Sequence, residues 1–121
     1  MHELAVCQAL MGQVEQVAAR EMATRVTAVI LQIGALSGVE EQLLKGAWPI
    51  ASAGSVAAGA ELRIENVPLR VRCLECGSES DALPNRLTCG ACDSFRTVLI
   101  SGEELLLKSL ELERSSPGDA A

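Results

Sequence analysis

Four of the five cysteines in this chain stand in two Cys-x-x-Cys pairs, Cys73-Leu-Glu-Cys76 and Cys89-Gly-Ala-Cys92, with twelve residues between the pairs. Two-residue spacing lets both sulfurs of one pair grip a single ion. A hairpin that brings the second pair alongside completes a tetrahedron. Gly77 follows the first pair, where the tight turn calls for positive φ. Four thiolates favour zinc by softness and geometry, with iron second. Zinc held by four protein ligands has no open position, so the centre is expected to be structural rather than catalytic. Arg70, Arg72, Arg86 and Arg96 flank it and are candidates to offset the excess negative charge of the thiolates. Two disulfides are one alternative, and a rubredoxin-like iron site is another. The first needs an oxidising compartment. The second is usually set among aromatic rings, and this region has only Phe95. Between Val67 and Ser101 there is little apolar mass, so metal binding is expected to supply the folding free energy there.

The rest of the chain has the material for an ordinary core. It has 121 residues, 49% of them hydrophobic, which suits one compact domain, or one carrying a smaller insert. With one Phe, one Trp and no Tyr, that core must be aliphatic. Lys and Arg total 10 against 16 Asp and Glu, a net charge of −6, which argues against nucleic acid as a partner. No apolar run approaches the ~20 residues that span a bilayer. The start, Met-His-Glu, lacks the basic region of a secretory signal. The expected compartment is therefore the cytoplasm, where thiols stay reduced.

Periodicity gives the elements. Leu4, Cys7, Met11, Val14 and Ala18 form a helical stripe over 3–23, widened by Leu10 and Val17. Cys7 is read as core. Residues 26–33 are β-branched and nearly all apolar, as in a buried strand. Ser37-Gly38-Val39-Glu40 has the form of a capping box, so a helix should follow with Val39, Leu43, Leu44 and Ala47 inward. Pro49 predicts a kink or an early end near Trp48–Ile50. Residues 60–65 alternate as a half-exposed strand, and Leu69, Val71 and Cys73 alternate again. Short strands are expected at 97–100 and 105–113, with Leu106, Leu110 and Leu112 on one side of the latter. Residues 115–121 are expected to be a disordered tail.

His2 is the only histidine, and no phosphate-binding loop or catalytic triad can be assembled, so the chain is not expected to be an enzyme. His2 stands beside the terminal amine, and the bulky second residue should keep Met1 in place. An amine, deprotonated backbone nitrogens and an imidazole can form a planar nitrogen set, which suits nickel(II) or copper(II). A solvated terminal histidine is the plain alternative.

Met1-His2-Glu3, the run Ile33-Gly34-Ala35-Leu36-Ser37-Gly38-Val39-Glu40, the run from Gly54 to Ala60 and the paired cysteines occur together in this order. In this combination the chain resembles the hydrogenase nickel-insertion accessory proteins, the HypA/HybF family, from Met1 to about Glu113. The resemblance implies an α+β fold: two helices on a small three-stranded sheet, with an inserted zinc-ribbon domain. It implies a nickel-binding domain over 1–67, completed by the last strand at 102–114, and a zinc-ribbon domain over 68–101. It implies a metallochaperone that binds nickel(II) through His2 and nearby backbone nitrogens, including that of Glu3, beside zinc(II) on Cys73, Cys76, Cys89 and Cys92. The implied acceptor is the large subunit of a nickel–iron hydrogenase, with the GTPase accessory protein HypB as co-worker and urease maturation proteins as further partners. The Glu3 side chain is either a weak extra ligand or a carboxylate at a helix N-terminus. Glu40 falls where some relatives carry an acidic residue near nickel. Unlike some relatives, this chain has no histidine beside the zinc cysteines. Oligomeric state stays open, a homodimer being one option. A zinc-ribbon interaction module without a nickel role is the competing reading.

Overall fold

The computed structural model describes residues 3–114. The tail expected at 115–121 lies outside them, as do Met1 and His2. The element order is α1 (Glu3–Arg20), β1 (Arg25–Gly34), α2 (Glu41–Ser52), β2 (Glu61–Val67), β3 (Arg70–Cys73), β4 (Glu79–Asp81), β5 (Thr97–Ser101) and β6 (Leu105–Glu113). Two three-stranded sheets form, in the orders β2-β1-β6 and β4-β3-β5. β3, β4 and β5 were expected to be a short lead-in and a single strand. They pair antiparallel into the smaller sheet.

The contacts divide the described residues into two compact units. One holds 3–31, 40–64 and 107–114, and the other holds 32–39 and 65–106. In the first unit, Cys7, Leu10, Met11, Val14 and Ala18 form the buried stripe of α1, and Leu4 is left exposed. α1 packs on α2, whose inner side is Leu44, Trp48 and Ser52. The three are spaced at i, i+4 and i+8, a single helical row. Leu43, expected inward, is 54% exposed, because it lies off that row. β1 supplies Val26, Val29 and Leu31, all fully buried.

The expected start of α2 needs correction, and of the two outcomes expected at Pro49, a kink or an early end, the early end does not occur. The Ser37 hydroxyl does accept a bond from the Val39 amide, at 3.3 Å, but no helix starts there. The helix begins at Glu41, with Glu40 as an extended N-cap whose own side chain makes no capping bond. Pro49 does not end the helix, which continues to Ser52. Its last turn is anchored by two buried residues, Ser52 and Trp48, whose indole N–H donates to the Ala60 carbonyl at 3.1 Å. In β6 the half-buried positions are Leu105, Leu107, Leu110 and Leu112, and Leu106 is exposed. The alternation slips by one residue at Lys108 and Ser109.

In the second unit, Gly34 meets Gly102 at backbone distance. A Cβ built on Gly34 would stand 2.1 Å from the Gly102 carbonyl. The Gly34 amide donates to the Glu104 carbonyl at 2.9 Å, and the Leu36 amide to the Gly102 carbonyl at 2.7 Å. No side chain fits at this crossing.

Candidate metal centre

Cys73 closes β3, Cys76 sits in the turn that follows, and Cys89 and Cys92 lie in the loop between β4 and β5. Their four sulfurs lie within 4.8 Å of one another. The Cys73–Cys92 and Cys76–Cys89 sulfurs are 3.6 and 3.5 Å apart. Four sulfurs at about 2.3 Å from one central ion would form a tetrahedron with edges of about 3.8 Å. The cluster therefore fits zinc, and its spacings are far from the ~2 Å of a disulfide. Bound there, zinc would act as a structural cross-link held by all four thiolates.

The two pairs build the same knuckle twice. In the first, the amides of Glu75 and Cys76 point at the Cys73 sulfur, at 3.3 and 3.4 Å. In the second, the amides of Ala91 and Cys92 point at the Cys89 sulfur, also at 3.3 and 3.4 Å. The Gly77 amide returns to the Cys73 carbonyl and the Asp93 amide to the Cys89 carbonyl. Gly77 has φ 76°, as its position required, and Asp93 holds the equivalent place at φ 61°. The sequence carried a signal of this likeness: a serine stands two residues past each pair, Ser78 and Ser94.

The serines matter to the thiols. Cys76 is lowered to about 6, first by the Ser78 hydroxyl and then by the Ser78 amide. Cys73 is lowered mainly by the Cys76 amide. At Cys92 the Ser94 amide pulls the value down, but thiol contact with Cys73, desolvation and contacts with Cys76 and Cys89 outweigh it and push the group up to about 12. Without metal, the cluster thus separates a ready thiolate from a thiol that keeps its proton. Zinc must displace that proton. The first cysteine of each pair is buried and the second exposed. The second knuckle is tied to β4 by the Gly90 amide, which donates to the Ser80 hydroxyl at 2.9 Å. Of the flanking arginines, Arg70 is engaged by Asp81 at 2.7 Å and Arg96 by Glu75 at 3.7 Å.

Elsewhere, Glu3 opens α1, is 8% exposed, and accepts the Glu40 amide on Oε2 at 3.2 Å. The Glu40 residue itself is exposed. Cys7 is fully buried, with its thiol 3.5 Å from the Leu44 carbonyl. Burial first, and the Glu3 charge second, push that thiol up, as fits a core residue. His2 lies outside the described residues.

Residues 1–112 match a family model described as hydrogenase/urease nickel incorporation, metallochaperone, HypA. The chain is 52% identical over 112 residues to a hydrogenase maturation factor HypA from Nitrosospira multiformis, covering 93% of this chain and 97% of that one. It is 42% identical to the Aquifex aeolicus factor of the same name, with 93% and 98% covered. The fold matches the solution structure of the nickel metallochaperone HypA from Helicobacter pylori with a TM-score of 0.69 and 26% identity, covering 94% of this chain and 99% of that one.

Proposed function

The chain belongs to the HypA family of metallochaperones for nickel incorporation into hydrogenase and urease, and from that premise we propose that it takes up one nickel(II) ion at its N-terminus and passes it to the large subunit of a nickel–iron hydrogenase. It is a metallochaperone and not an enzyme, and its family binds both nickel and zinc. His2 supplies an imidazole and Glu3 a main-chain nitrogen, with the amide of His2 and the amine of Met1 completing a planar set.

One observation carries this assignment. α1 begins at Glu3. The first amides of a helix have no carbonyl one turn back to bond. The Glu3 nitrogen is therefore not committed to the helix ladder, and a metal can take it without unwinding a turn. A site made mostly of chain-terminal nitrogens also suits a carrier, because a docked acceptor can replace them one at a time.

The reading extends to partners and place. HypB is the proposed co-worker, the urease maturation proteins are a further destination, and the cytoplasm is the compartment. No helix among the described residues is long and apolar enough to cross a membrane. We assign nickel handling to 1–67 with 102–114, and zinc to 68–101.

The test is a titration of untagged, zinc-loaded protein with nickel(II), beside His2→Ala, by calorimetry and optical absorption. Wild type should bind one nickel per chain with a planar d–d band, and His2→Ala should not. Equal binding by both, or by neither, would remove the N-terminal site and leave a zinc-stabilised interaction module.

A further inference from the structure

We propose that the Glu3 carboxylate is a positioning group for nickel capture rather than a nickel ligand: it fastens the start of α1 to the amide of Glu40 and leaves only its main-chain nitrogen to the metal. This inference rests on the nickel reading above.

The geometry begins at α2. Its N-cap, Glu40, is extended, at φ −93° and ψ 123°, and caps nothing with its own side chain. In a capping box, a Glu or Gln three residues into the helix reaches back to the N-cap amide. Here that residue is Leu43, which has no acceptor to offer. Glu3 does the work from 37 residues away, accepting the Glu40 amide at 3.2 Å. Among the described residues it is the one buried charged side chain. Its charge also lies in the first turn of α1, so one carboxylate serves the positive ends of two helices.

This placement has a cost for any ligand role. Oε2 is committed to the Glu40 amide; giving it to nickel would leave that amide without its acceptor, and only Oε1 could meet the metal with the contact kept. Kept in place, it fixes the third residue of a chelate built from consecutive residues. Fewer free torsions between donors mean less ordering to be done when the ion arrives.

The experiment uses untagged, zinc-loaded wild type, His2→Ala, Glu3→Gln and Glu3→Ala, with nickel sulfate as probe and excess free histidine as competitor. Amide exchange at Glu40 is followed in the nickel-free proteins. Glu3→Gln keeps an acceptor oxygen, so its d–d band should match wild type and its nickel dissociation rate should stay within about threefold. Glu3→Ala should keep the band position, expose the Glu40 amide to exchange, and lose nickel roughly tenfold faster, the factor expected for a hydrogen bond to a charged acceptor. A d–d band that moves in Glu3→Gln, or nickel loss in Glu3→Gln as fast as in Glu3→Ala, would make the carboxylate a ligand and overturn the inference. Nickel kinetics unchanged in Glu3→Ala would reduce the contact to a helix cap and overturn it too. If His2→Ala binds like wild type, the nickel reading itself fails, and that outcome is visible without either Glu3 variant.

Discussion

The two units are held by different materials. The helical unit buries Val14, Val26, Val29, Leu31 and Leu44 completely. The cysteine unit buries three aliphatic side chains, Ile33, Leu69 and Val71, of which only Val71 is fully covered, beside Cys73 and Cys89. Full burial of a Leu or Val side chain contributes about 1.5–3 kcal/mol. Several such residues can hold two helices on a sheet. Three aliphatic side chains and a set of sulfurs are little to hold three short strands, so the ion is expected to supply the rest. The lesson is that the same chain depends on a core in one place and on chemistry in another.

The largest test of that contrast is removal of zinc. A chelator, or Cys73→Ala, should raise amide exchange across 70–101 toward solvent-like rates, while protection in α1 and α2 falls by less than about tenfold. Retained protection in 70–101 without zinc would break the comparison. Acid should act in the same direction. Protons compete with zinc for the thiolates, so affinity falls as pH falls. The slope should steepen below about 6, where Cys76 too takes up a proton and zinc must displace one more. The helical unit should have its sensitive edge on the other side. Burial and the Glu3 charge hold the Cys7 thiol neutral above its ordinary value of 9.0. Its contribution is thus fully present below that value and is lost as pH rises through the raised one. Zinc content and helical circular dichroism, followed from acid to alkali, should fail at opposite ends.

Next in size is Leu44→Ala. The side chain is fully buried against α1, so truncation should cost about 2–5 kcal/mol in urea unfolding read by helical circular dichroism. Zinc per chain should stay unchanged. Loss of zinc with the helix would show that the two units unfold as one.

The cysteine spacing was the most legible part of the chain, because metal geometry is local and leaves its period in the sequence. The α1 stripe was legible for the same reason. What failed to show was what depends on distant partners. The cap on Glu40 comes from Glu3, so the local Ser37–Glu40 pattern pointed to the wrong helix start. Pro49 pointed to a kink or an early end, and local rules could not show that the helix runs past it to Ser52. Gly34 follows the strand expected at 26–33, and nothing local shows why a glycine stands there. Its cause is the backbone of Gly102 beside it. β4 has three residues and no apolar alternation of its own, so only its pairing with β3 defines it.

The smallest effects give the sharpest comparison, because each unit carries one non-glycine residue at positive φ among the described residues: Met22 at 55° and Asp93 at 61°. Met22 follows α1, where the Ala23 amide bonds the Ala18 carbonyl and the Met22 amide the Ala19 carbonyl, a Schellman ending. Glycine is the natural residue there, and Met22 is 82% exposed, so Met22→Gly removes little packing. It should raise the stability of the helical unit by about 1 kcal/mol and leave zinc release unchanged. Asp93 occupies the site that Gly77 fills in the first knuckle. Aspartate tolerates this conformation better than methionine, so Asp93→Gly should change little, whereas Asp93→Ala should cost about 1 kcal/mol. That cost should appear as faster zinc transfer to a chelator, with the helical melt unmoved. If Asp93→Ala instead lowers the helical melt, the strain at the knuckle is shared across the chain, and the division between a unit held by its core and a unit held by its ion would not stand.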